Sequence, residues 1–99
     1  MKTYWLHIVE VKSPQADIPS TYLLSHVSQL DRNFAGGAVP TVHYASWERL
    51  GQALSGVGID GGVLHDTKEN LDANGSHTIS NVTLSDVQVE LLGFVDVVA

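Results

Sequence analysis

Residues 3–11, TYWLHIVEV, are the segment that most limits what this chain can fold into. Aromatic and β-branched residues dominate it, and its apolar side chains occupy both odd and even positions. A strand directs alternate side chains to opposite faces, so this strand needs cover on both of them. Strands of that kind lie in the interior of a sheet. The segment therefore predicts a central strand around which the rest of the chain packs.

Two later segments have the spacing of amphipathic helices. Between residues 20 and 34 apolar side chains fall at positions 23, 24, 27, 30 and 34, and two glycines follow. This pattern predicts a first helix that ends at the glycines. Residues 46–57 place Trp47, Leu50 and Leu54 on one stripe, which predicts a second helix with Ser46 as its N-cap.

Short apolar segments predict the remaining strands. We expect strands at residues 38–44 and 61–66, and a polar loop, with or without one helical turn, over residues 67–76. From Asp86 onward apolar residues alternate with polar ones, so residues 77–84 and the C-terminal segment are predicted to form a hairpin.

These elements predict an α+β fold with the order β-α-β-α-β-β-β. It is a two-layer mixed sheet of about five strands with two helices on one face. The two helical connections are long enough to make the first three strands parallel. With 99 residues the chain is expected to form a single domain, residues 1–99.

The charge of the chain excludes several kinds of partner. Five Lys and Arg residues oppose eleven Asp and Glu residues, giving a net charge of −6, and Lys68 is the only Lys or Arg after residue 50. Nucleic acids and anionic membranes need a basic surface, so neither is predicted as a partner. A small neutral or cationic ligand, or a protein partner, fits the charge better.

Cysteine is absent, which excludes disulfides, thiolate nucleophiles and cysteine-ligated metals. No apolar segment approaches the roughly 20 residues of a membrane-spanning helix, and the N-terminus lacks a signal-peptide pattern. We therefore expect a soluble cytoplasmic protein. The five histidines show none of the spacings that place two imidazoles on one metal from one element, so no metal or cofactor is predicted.

Polar side chains follow the ends of the predicted parallel strands. In α/β proteins those ends share one edge of the sheet, where ligands bind. The N-terminus of the second predicted helix, which begins at Trp47, would lie beside that edge. The candidate binding residues are Glu10, His43, Tyr44, Trp47, His65 and Asp66.

Two functions fit these residues. The first is a small acidic binding or protein-interaction module that takes a small neutral or cationic ligand or a protein partner. The alternative is a small metal-dependent or acid–base enzyme that uses the strand-end edge with Glu10, His43 and His65. No residue is assigned a catalytic role from the sequence.

The C-terminal segment predicts self-association. Its apolar side chains occupy both faces of one predicted strand, more than a single helical layer covers. We therefore expect a homodimer that buries this segment. The predicted interface residues are Leu92, Phe94, Val95 and Val97.

Overall fold

The computed structural model describes residues 1–28 and 40–94. This part of the chain is an α+β fold with one antiparallel sheet of four strands and three helices. None of the described helices is long and apolar enough to cross a membrane. In chain order the elements are β1 (Lys2–Val11), β2 (Thr21–Ser28), β3 (Thr41–Tyr44), α1 (Trp47–Gly56), α2 (Gly61–Asn74), β4 (Ser76–Leu84) and α3 (Asp86–Leu91).

Strand β1 lies inside the sheet, as its sequence predicts. The strand order is β3-β2-β1-β4, and β1 pairs antiparallel with both β2 and β4. Leu6 and Ile8 are fully buried on one face. On the other face Val9 and Val11 are each 43% exposed, so the expected cover over both faces is not found at these two residues.

The helices complete a core on the Leu6 face of the sheet. Apolar side chains of α1, α2 and the segment after α3 join those of the strands in one buried cluster. Burying this much apolar surface is the main term that stabilises such a fold. The buried members are Tyr4, Leu6, Ile8, Tyr22, Leu24, Leu50, Leu54, Val57, Leu71, Ile79, Val82, Leu84, Leu92 and Phe94.

A β-bulge keeps the apolar residues of β4 on this face. The pairing of β4 with β1 shifts between Tyr4 and Leu6, and Asn81 has a φ of 60°. An extra residue reverses the alternation of side chains. Ile79 and Val82, three residues apart, are therefore both buried.

The predicted first helix, residues 20–34, is wrong where the structure describes it, because residues 21–28 form β2. Residues 29–34 lie outside the described part. In β2, Tyr22 and Leu24 are buried two positions apart, which is the strand period. The β-branched, aromatic and serine residues of this segment have modest helix propensity, and pairing with β1 and β3 decides its conformation.

The predicted strand at 61–66 and the loop at 67–76 are also wrong, since α2 covers residues 61–74 and β4 begins at Ser76. Asp60 accepts a hydrogen bond from the amide of Gly62 at the start of α2. Gly75 ends the helix with a φ of 79°, a left-handed conformation that glycine adopts without strain. Lys68 and Asp72 form an (i, i+4) ion pair at 2.7 Å along the helix.

The first strand of the predicted C-terminal hairpin is confirmed as β4, whereas the second strand is wrong where the structure describes it, and residues 95–99 lie outside the described part. Residues 86–91 form α3, which starts with a capping box made by Ser85 and Gln88. Leu92 and Phe94 are buried in the core of their own chain. A Cβ atom on Gly93, whose φ is 101°, would lie 3.0 Å from a Val42 methyl carbon, so the chain turns closely against β3.

The predicted topology also needs correction. The β-α-β-α-β-β-β order, the five strands and the parallel pairing do not match the structure, where every pair of neighbouring strands is antiparallel. The strand predicted at 38–44 is observed at 41–44, with Pro40 before it and residues 38 and 39 outside the described part. A proline is tolerated just before a strand but interrupts one.

The second predicted helix is confirmed as α1, and Ser46 is its N-cap. The Ser46 hydroxyl accepts a hydrogen bond from the amide of Arg49 at 3.2 Å. Leu50 and Leu54 are fully buried, and Trp47 is half-buried against the core.

Replacing Ser46 with Ala removes this cap, so we expect the free energy of unfolding to fall by about 0.5–2 kcal/mol. His43→Ala is the comparison variant, because the exposed His43 side chain contributes little burial and should change stability little. Urea unfolding followed by circular dichroism measures both. An equal loss of stability in the two variants would contradict this assignment of the cap.

Candidate functional site: a groove between β3 and α1

An open cleft of about 670 Å³ lies between β3 and α1. Its size is within the range of sites that hold small molecules or peptide side chains. The lining residues are His43, Tyr44, Ala45, Arg49, Gln52 and Ala53. We call this cleft, with these six residues, the β3–α1 groove.

One wall of the groove is the edge of the sheet. Strand β3 pairs with β2 through Thr41–Tyr44, and no other strand in the described part pairs with it. An edge strand of this kind presents backbone N–H and C=O groups that a further strand can bind.

The opposite wall is one side of α1. Arg49, Gln52 and Ala53 are spaced i, i+3 and i+4, which places them on a single stripe of the helix. Arg49 and Gln52 are exposed, whereas Ala53 packs partly against the core. The small side chains of Ala53 and Ala45 leave room between the two walls.

The electrostatics of the groove differ from those of the chain as a whole. None of its six lining residues is acidic. Throughout residues 1–28 and 40–94, no carboxylate is close enough to Arg49 to form an ion pair. Within the described residues the Arg49 guanidinium therefore has no ion-pair partner, although the chain has a net charge of −6.

Tyr44 connects the groove to the core. Its hydroxyl donates a hydrogen bond to the backbone carbonyl of Leu92 just after α3. Burial raises the pKa of the Tyr44 phenol above 10.0. The phenol is therefore a structural donor that holds the end of β3 in place.

His43 lies on the other face of β3 from Tyr44. Its cross-strand partner is Leu23, whereas Tyr44 is opposite Tyr22. The imidazole is exposed at the edge of the sheet and lines the groove from that side.

Glu10 and Trp47 come together at a second position, around Tyr22. Glu10 is opposite Tyr22 on the neighbouring strand, and the Tyr22 and Trp47 rings meet edge-on with their centroids 5.8 Å apart. One carboxylate oxygen of Glu10 is buried and has no hydrogen-bond partner among the described residues. We call Glu10, Tyr22, Trp47 and Lys68 the Tyr22 corner.

The protein's own lysine occupies the Tyr22 corner. The Lys68 ammonium lies 6.0 Å from the centroid of a Trp47 ring and donates a hydrogen bond to Asp72. That hydrogen bond is the main cause of its raised pKa. Burial raises the pKa of Tyr22, an effect that the Lys68 charge opposes and nearby Glu10 increases. Because Lys68 already lies beside Trp47 and is paired with Asp72, the corner is better explained as structure than as an open site.

His65 and Asp66 lie away from this arrangement, on the exposed surface of α2. The His65 imidazole is 3.0 Å from the Glu69 carboxylate on the same helix. The Asp66 backbone carbonyl accepts a hydrogen bond from the Asn70 side chain. The described residues contain no group of three histidine or acidic side chains that could hold a metal ion.

Another cavity, of about 200 Å³, lies at the opposite end of the sheet beside α3. It is below the usual size of ligand sites. Its walls mix the basic Lys2 with the acidic Asp86 and Glu90. The β3–α1 groove is therefore the stronger candidate.

His43 and Tyr44 are among the candidate residues predicted from the sequence, whereas Arg49 and Gln52 are not. The available signal was the polar pair 49 and 52, three residues apart in the helix that follows a short strand. That signal has meaning only once β3 is known to be an edge strand.

The tyrosines supply a pH test of this geometry. Tyr22, Tyr44 and Lys68 all have raised pKa values, so the folded state holds these protons more tightly than the unfolded state. Their contribution to stability is complete below about pH 10 and is lost as the pH rises through the raised values. Absorbance titration of the chain, with Tyr22→Phe and Tyr44→Phe to assign the signals, should show both phenols ionising above pH 10.0. Ionisation of either one at a lower pH would contradict the burial described above.

The groove is thus formed by a sheet edge and a helix side, and its lining residues include an arginine, a histidine and a glutamine. Its chemistry suits hydrogen bonding to a backbone and to an anionic group. Comparison with known proteins adds no assignment, because the chain matches no family model, no curated protein and no solved structure.

Proposed function

We propose that this chain is a protein-interaction module that binds an extended polypeptide segment in the β3–α1 groove. The bound segment adds as a further strand to the outer edge of β3, and its side chains on one face contact α1. Recognition by strand addition obtains affinity from backbone hydrogen bonds and specificity from neighbouring side chains.

One observation supports the proposal: His43 and Tyr44, on the side of β3 with which no strand of the described part pairs, line the same cleft as the exposed stripe of α1. An extended segment matches this shape because it hydrogen-bonds along one side and projects alternate side chains toward the helix. The half-buried Tyr44, anchored to Leu92, gives the strand a fixed position.

The enzyme alternative has less support from the geometry. His43 lies at the sheet edge, His65 is on the exposed surface of α2, and the buried Glu10 oxygen belongs to the Tyr22 corner. General acid–base chemistry requires such groups within hydrogen-bond reach of one substrate. A small cationic ligand is also less suited to the groove than a peptide, because Arg49 lines the groove and has no ion-pair partner among the described residues.

The expected homodimer stays a prediction. Of the predicted interface residues, Leu92 and Phe94 are buried within one chain, so a dimer that keeps this core does not use them, and Val95 and Val97 lie outside the described part. Light scattering of the intact chain would measure its mass directly.

Peptide selection tests the proposed function. We expect a phage library of random peptides of about eight residues, an ordinary strand length, to yield binders of the intact chain. A synthetic peptide made from the selected sequence should shift the backbone amide resonances of residues 41–45 and 49–53 most strongly. Perturbations confined to other surfaces, or a library without binders, would overturn the proposal.

A substitution that fills the groove supplies the matched control. Gln52→Trp places a large side chain at an exposed lining position and should abolish binding of the selected peptide. Gln15→Trp makes the same chemical change in an exposed turn before β2, where only the Gln15 backbone is hydrogen-bonded, and should leave binding unchanged. Equal affinities for the two variants would place the binding site elsewhere.

A further inference from the structure

We infer that the β3–α1 groove selects an acidic segment, one that presents an Asp or Glu carboxylate toward Arg49. The inference rests on the proposed function and specifies its partner. It reverses the expectation drawn from net charge, which favours neutral or cationic partners for an acidic chain.

Arg49 is the group in the groove that binds a carboxylate. Its backbone amide is used by the Ser46 cap, but its guanidinium has no acidic partner in the described chain. Free guanidinium groups bind carboxylates through two parallel N–H···O hydrogen bonds, which add geometric selectivity to the charge attraction.

The residues that line the groove with Arg49 add further hydrogen-bond donors. Gln52, about one helical turn along α1 and also lining the groove, carries amide N–H donors, and His43 lines the groove at the edge of the sheet. None of the six lining residues is acidic, so the groove presents hydrogen-bond donors and no carboxylate among the residues that line it.

The charge distribution outside the groove also favours binding of an acidic segment at the groove. Helices α2 and α3 carry exposed acidic side chains that repel an acidic segment from their surfaces. Among them are Asp66, Glu69, Asp86 and Glu90. Like-charge repulsion outside the groove and attraction within it together favour one binding position and one register.

Three synthetic peptide libraries test this inference on the intact chain. They share one random design of about eight residues and differ only in a fixed central Glu, Gln or Lys. We expect the Glu library to bind about tenfold more tightly than the Lys library, with Gln between them, and this preference should weaken as salt rises from about 0.05 M to about 0.5 M.

Charge reversal supplies the decisive variant. In Arg49→Glu the library order should invert, while the fold is kept because an acidic residue in the first turn suits the helix dipole. Lys12→Glu makes the same charge change at an exposed position outside the groove, and its library order should stay that of the unaltered chain.

Each outcome has a separate meaning. Equal binding of the three libraries, or an unchanged order in Arg49→Glu, would overturn the acidic preference and leave strand addition standing. Failure of all three libraries would overturn the proposed function as well. Binding of free succinate as tight as that of the Glu library would assign the groove to small carboxylates, against both proposals.

Discussion

The double pairing of β1 is the constraint on which the rest of the structure depends. Its backbone is paired with β2 along residues 4–11 and with β4 over most of the strand, while Leu6 and Ile8 fill the centre of the core. Because β1 occupies the interior, β3 is left at the edge. The helix that follows β3 is only two residues away, so α1 must lie beside that edge and form the groove with it.

Much of the fold follows from local pattern. The apolar residues on both parities of β1 place it inside the sheet, and the stripe of α1 with its serine cap identifies a helix. The predictions for other segments are wrong for physical reasons. The β2 segment has a spacing that fits either period over a short length, and only its neighbours on both sides make it a strand.

Helices α2 and α3 each have a helix signal in their sequence, which was overlooked in favour of a strand pattern. Residues 85–88, SDVQ, match a capping box and so mark the start of α3. In α2 the side chains at 64, 67 and 71 follow the helical period, but the short apolar segment at 61–66 predicted a strand. Val87 and Leu91 show the consequence, since each is 65% exposed on α3 where an alternating strand would have buried both.

The candidate site was partly predictable for a reason other than the one argued from the sequence. Strands β1 and β3 run in the same direction because each is antiparallel to β2. Glu10 and Tyr44 therefore lie at the same end of the sheet, with Tyr22 between them. The parity of β3 turns His43 to the opposite face. His65 was unpredictable at this edge because its segment is helical. The role of Arg49 depends on which strand ends the sheet, a property of the tertiary fold that no local spacing encodes.

A segment can add to β3 only if the outward backbone groups of this strand are available for hydrogen bonds. Residue-resolved amide hydrogen exchange of residues 41–44 tests this most directly. In an antiparallel edge strand, alternate amides bond to the neighbouring strand while the others face outward. We therefore expect alternating slow and fast exchange along β3, with slow exchange at successive residues of the doubly paired β1 as the internal reference. Slow exchange at all four β3 amides in the free chain would contradict an open edge, and with it the groove as a binding site.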